Sequence, residues 1–122
     1  MSEIKTYRDL IAWQKAMTLA EQVYVMTREM PGDERFGLTA QMRRAAVSIP
    51  SNIAEGHARQ STSDYLRFLK IARGSVAELC TQMTLAVRLQ LVPANPATTQ
   101  LADEVDRILQ GLIRSLAKFR TE

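Results

Sequence analysis

Apolar residues recur at steps of three and four in four separate stretches of this chain, each closed by a breaker. Leu10, Trp13, Met17, Ala20 and Tyr24 make the first stripe, widened by Ala16, Val23 and Met30 into an apolar face about 100° across or more. Thr6 and Asp9 stand at N-cap and N3 spacing, and Pro31-Gly32 is a strong stop, so the first helix is predicted over 7–30. Leu38, Met42, Ala45, Ile49 and Ile53 predict a second helix over 38–56, with Gly56 supplying the left-handed residue common just past a helix end. Pro50 lies inside it, where it removes a donor and crowds the Ala46 carbonyl, so a kink or break is expected there.

Ser61, three residues before Asp64, predicts the cap of a third helix over 62–91, whose core face is Tyr65, Phe68, Leu69, Ala72, Val76, Leu79, Met83 and Val87. A second stripe of Arg67, Ile71, Ser75, Glu78, Gln82, Leu85 and Leu89 mixes polar and apolar residues, as suits a helix with two neighbours. Gly74 in its interior is unfavourable by up to about 1 kcal/mol relative to alanine, which predicts close approach of another helix. Asn95-Pro96 then opens a fourth helix over 96–120, with Leu101, Val105, Ile108, Leu112, Leu116 and Phe119 as its stripe. No alternating strand pattern competes. The prediction is a single all-α domain over 1–122, an antiparallel up-down-up-down four-helix bundle with its second helix kinked near Pro50.

The second helix has two further faces. Gln41, Arg44, Ser48, Asn52 and Glu55 fall on a narrow polar seam, which Glu78 of the third helix could join. On the side opposite the core lie Ala40, Val47, Pro50 and Ala54, small apolar groups where a monomer would show charge. A helix apolar on two sides is usually buried on two sides, so these four residues are read as an oligomer interface.

Charge sharpens the picture. The net charge is +3, but between Arg35 and Arg73 seven basic residues face two acids, +5 for that segment and −2 for the rest. Arg43, Arg44, Arg59, Arg67, Lys70 and Arg73 are therefore the candidate contacts to a nucleic-acid backbone, which needs only accessible cations at suitable spacing. Few aromatic residues are placed to stack on bases, since Tyr65 and Phe68 are predicted inward. Cys80 is the single cysteine, so no intrachain disulfide forms, and the chain fits a reducing cytoplasm. The start lacks a signal-peptide pattern, and no apolar run approaches the ~20 residues of a membrane span, so no membrane is expected.

Catalytic chemistry is thin. His57 is the only histidine, with no metal-ligand spacing around it, and Cys80 has no base in view. The five glycines are scattered singly and build no phosphate loop. Glu55 and Glu78 could meet across the seam and do acid–base work, although a structural hydrogen-bond network explains them more simply. No enzyme, catalytic residue, metal or cofactor is expected.

The segments DLIAWQKAMTLAEQVY, ERFGLTAQMRRAAVSIPSNIAEG and DYLRFLKIARGSVAEL resemble the four-helix-bundle proteins also called 23S rRNA-intervening sequence proteins. The resemblance runs closely from Tyr7 to Leu91, and through the last helix by hydrophobic pattern and the GLIRSL ending. It implies a bacterial protein, some relatives being encoded within insertions in large-subunit ribosomal RNA genes. It implies assembly as a homopentameric ring. A more distant bundle of this kind, the accessory protein of diversity-generating retroelements, binds nucleic acid and a reverse transcriptase. Arg43, Arg44, Ser48, Asn52, Glu55, Gly56, Gly74, Ser75 and Glu78 match the signature, and no catalytic residue comes with it. The expected function is thus a cytoplasmic, non-enzymatic assembly that binds RNA or DNA through basic residues of helices two and three. The alternative is an oligomeric scaffold that engages a protein partner through the polar seam, without nucleic acid.

Overall fold

The computed structural model describes residues 3–120. Four helices form: α1 (Ile11–Thr27), α2 (Leu38–Ala58), α3 (Thr62–Arg88) and α4 (Pro96–Arg120). Their pairing follows from contacts between ends. Arg43, near the start of α2, donates to Thr27 at the end of α1, while Ser48 meets Ser75 and Gly56 meets Tyr65 and Phe68. Arg73 pairs with Asp106, Lys15 with Glu104, and Thr98 with Gln22. Each pair of neighbours runs in opposite directions, which gives the up-down-up-down bundle. Among the described residues there is no strand.

The predicted first helix is shorter at both ends. The Thr6–Asp9 capping box is present, with the Asp9 carboxylate accepting from the Lys5 and Thr6 N–H groups at 2.8 and 3.2 Å. It closes only a 3-10 turn, Tyr7–Asp9, because Leu10 is extended (φ −75°, ψ 127°) and packs against the core. At the far end, Arg28, Glu29 and Met30 bond to carbonyls three residues back, so the chain tightens before Pro31 arrives. α2 runs without a break through Pro50, and a buried Gly56 lies inside it. Gly56 is therefore not a left-handed terminator; no glycine among the described residues has positive φ. Ser61 accepts from the Asp64 N–H at 3.1 Å, and Asn95 Oδ1 from the Thr98 N–H at 3.2 Å, so both expected caps form. α3 stops at Gln90, whose φ of 61° lets the Leu91 N–H reach the Ala86 carbonyl.

The core is lined by Leu19, Val23, Met42, Ile49, Ile53, Leu69, Leu79, Val105 and Leu109. On α2 and α3 these are the predicted stripes. On α1 part of the predicted face turns outward. Ala12, Ala16, Leu19, Ala20 and Val23 are buried, whereas Met17 and Tyr24 are 38% and 40% exposed. Three alanines allow α1 to lie close to its neighbours, and that approach leaves the bulkier stripe no room inside. On α4, Phe119 is exposed, while Val105 is buried and Leu101, Ile108, Leu112 and Leu116 pack half-buried against the core, with Thr98, Ala102 and Leu109 buried beside them.

Candidate functional site

The displaced stripe of α1 makes a surface. Tyr7, Trp13, Met17 and Tyr24 meet Val47, Pro50 and Ala54 of α2 along an open groove of about 580 Å³. The Tyr7 and Trp13 rings stand edge to face at 5.3 Å at one end. Three of the four residues read as an oligomer interface thus lie together, and Ala40, in the first turn of α2, does not join them. Pro50 is buried by its own chain and Val47 is 43% exposed, so the groove, rather than α2 alone, is the apolar surface. Sequence reasoning missed the α1 half of it because aromatic and alanine stripes are both apolar. The alternation of Ala12, Ala16 and Ala20 beside the bulky stripe was the available signal.

The polar seam is mostly satisfied within the chain. Ser48 and Ser75 hydroxyls bond at 2.8 Å, and Asn52 Nδ2 donates to the Ser48 carbonyl and hydroxyl at 2.8 and 2.9 Å. Glu55 pairs with Arg59 at 2.9 Å. Gln41, Arg44 and Glu78 are exposed. The pairing of Ser48 with Ser75 and of Gly56 with Phe68 puts Glu55 near Phe68, about ten residues and about 15 Å along α3 from Glu78. The two carboxylates do not meet, and no paired acid–base site exists there.

The six candidate cations separate as well. Arg43 is held at the α1 side, donating to Thr27 Oγ1 at 2.8 Å with its guanidinium 4.6 Å from the Tyr24 ring centre. It lies about 24 Å along α2 from Arg59, so it belongs to a different part of the surface. Arg67, Lys70 and Arg73 follow at three-residue steps down exposed α3, with Arg59 beside the first of them. Arg73 pairs with Asp106 at 2.9 Å and Arg67 with Asp64 at 3.6 Å. Arg44 and Lys70 have no ion-pair partner among the described residues.

Phe68 gathers the α2–α3 end. It is 7% exposed, and the guanidinium carbons of Arg59 and Arg67 lie 5.0 and 4.5 Å from its ring centre. Gly56 admits it: a methyl there would stand 2.7 Å from the Phe68 Cβ. Nearby, His57 meets the Tyr65 ring edge to face at 5.6 Å. Burial pushes the Tyr65 phenol up, and burial, then the charges of Asp103 and Asp106, push the Cys80 thiol up, away from a nucleophile's range. No group of three or more His, Cys, Asp or Glu side chains suited to a metal is found among the described residues. None of the described helices is long and apolar enough to cross a membrane.

Three comparisons bear on this architecture. The sequence model for the family described as 23S rRNA-intervening sequence protein matches residues 8–114. A solved structure from Bacteroides thetaiotaomicron VPI-5482, described as a protein of unknown function from the S23 ribosomal protein family, superposes with a TM-score of 0.79. At 20% identity it covers 85% of this chain and 96% of its own, a likeness of fold. Comparison with curated proteins finds no match.

Proposed function

We propose, for a chain that belongs to the 23S rRNA-intervening sequence protein family, a non-enzymatic role as a self-assembling bundle that carries nucleic acid in the cytoplasm. The observation that carries this reading is the run of exposed basic residues Arg59, Arg67, Lys70 and Arg73 along the α2–α3 hairpin, of which Lys70, like Arg44 farther along α2, has no ion-pair partner among the described residues, while the three arginines share their charge with Glu55, Asp64 and Asp106. In one chain such a row is a weak polyanion site. Assembly multiplies it, and the groove of Trp13, Met17, Tyr24 and Val47 is the apolar surface that assembly would cover. A ring of five is the state that the resemblance implies. Arg43 is left out of the binding set, because its guanidinium already ties α2 to α1.

The scaffold reading keeps the assembly and replaces nucleic acid with a protein. It is the weaker reading, because Ser48, Asn52 and Glu55 of its docking seam already bond within the chain. Fluorescence anisotropy with labelled RNA and DNA over a salt series separates the two. Affinity should fall linearly on a log–log salt plot, the slope counting the phosphates neutralised, and Lys70→Ala with Arg73→Ala should flatten it. Absence of binding at low salt refutes nucleic-acid carriage and leaves the scaffold.

A further inference from the structure

We infer that Arg59 and Arg67 form a stacking platform for unpaired nucleobases, so that the ligand class is single-stranded nucleic acid rather than duplex; this rests on the nucleic-acid reading above. Both guanidinium carbons lie over the Phe68 ring, within about 5 Å of its centre, which gathers the two arginines at one end of the hairpin. Each also has an Nη2 occupied by a carboxylate, Glu55 for Arg59 at 2.9 Å and Asp64 for Arg67 at 3.6 Å. The ring and the acid together restrain each guanidinium.

What remains free decides the ligand. A phosphate is drawn to a guanidinium's charge and its N–H edge, and in these two residues a neighbouring acid offsets the charge and shares the edge. Both side chains nevertheless stay accessible, 45% and 57% exposed. A flat, partly neutralised, pre-oriented guanidinium is a poor phosphate clamp and a good surface for a base, whose π-face is available only when it leaves a duplex stack. Phe68 itself is 7% exposed and is the support beneath the platform, not the contact. Lys70, one turn along α3 and without an ion-pair partner among the described residues, is placed to take the phosphate of the same strand.

The test is the double variant Arg59→Lys, Arg67→Lys, which keeps both charges and removes both planes. Binding is read by anisotropy for an adenine-rich 20-mer as RNA, the same sequence as DNA, and the matching duplex. Wild-type affinity should favour the single strands, and the double variant should lose about tenfold or more on them with an unchanged salt slope. The duplex should change less than about twofold, because any lost bidentate phosphate contact would weaken duplex binding too. The RNA and DNA arms show which sugar the strand carries. If the variant binds the single strands as wild type does, or the duplex is preferred, the platform is refuted and phosphate-led binding stands. If no nucleic acid binds wild type at low salt, the platform and the reading beneath it both fall.

Discussion

Gly56 and Gly74 should respond to the same substitution with opposite signs. At Gly56 an added methyl would lie 2.7 Å from the Phe68 Cβ, 3.2 Å from Tyr65 Cδ1 and 3.3 Å from the Tyr65 carbonyl. The nearest of these atoms is bonded directly to backbone, so a rotamer change cannot relieve the contact, and α2 and α3 must part by about 1 Å to accept it. Alanine gains about 1 kcal/mol of helix propensity. Overpacking of this kind opposes it with about 1–3 kcal/mol, and the short distance to a stiff neighbour argues for the upper part of that range. Gly56→Ala should therefore be destabilised by about 1–2 kcal/mol net. Gly74 has nothing within 4 Å of the same virtual atom and sits exposed on α3. There alanine meets no opposing contact and should stabilise by about 0.5–1 kcal/mol. Urea unfolding followed by circular dichroism, at one fixed protein concentration, reads both. With a slope of about 1–3 kcal/mol per molar, the midpoint should fall by about 0.3–2 M for the first variant and rise by about 0.2–1 M for the second. A neutral or stabilised Gly56→Ala would refute the close α2–α3 approach. A destabilised Gly74→Ala of reduced mass would mean that α3's outer face is covered in the assembly.

Three further outcomes follow from other parts of the molecule. Val47→Asp puts a charge in the α1–α2 groove and should dissociate the assembly without lowering helix content; unchanged mass by light scattering would remove the groove from the interface. Ser48→Ala strands the Ser75 hydroxyl and an Asn52 donor and should destabilise by about 1–2 kcal/mol, while Ser48→Ala with Ser75→Ala should cost less than the sum of the single changes, as a double-mutant cycle reads directly. Because burial, Asp103 and Asp106 raise its pKa, Cys80 has less thiolate at neutral pH than a free cysteine. Its reaction with a disulfide reagent should be slower in the folded protein than in urea and should quicken as pH rises; equal folded and unfolded rates would refute that environment.

The bundle was legible because its evidence is local. Ser61 and Asn95 act within three residues of themselves, and the Met42–Ile49–Ile53 line needs only a helix to define it. What the sequence misplaced depends on a partner it cannot display. A glycine's presence says that a side chain is unwanted, not what stands opposite, so Gly56 read as a terminator and Gly74 as a contact when the structure reverses them. The α1 face was partly misread for a related reason: Ala16, Ala20, Val23 and Met30 are buried as predicted, but Met17 and Tyr24, bulky members of the same face, are left exposed because close packing favours the smaller residues. Whether Glu55 meets Glu78 turned on the α2–α3 offset, a quantity held by Ser48–Ser75 and Gly56–Phe68 together.

That offset ties packing to the surface. Gly56 lets Phe68 seat against α2, and the seated ring supports Arg59 from α2's end and Arg67 from α3. The Ser48–Ser75 bond fixes the same register about two turns away, where a one-residue slip would break it. Ser48, Gly56 and Ser75 thus set the register that places Arg59 beside Arg67. Gly56→Ala should separate these effects in a way that charge removal does not. If the platform acts through geometry, that variant should lose single-strand affinity by about the same factor as Arg59→Lys with Arg67→Lys, with its charge and salt slope intact. If it unfolds early in urea yet binds the single strand as tightly as wild type, the hairpin's packing and its binding are independent, and the role assigned to Phe68 is wrong.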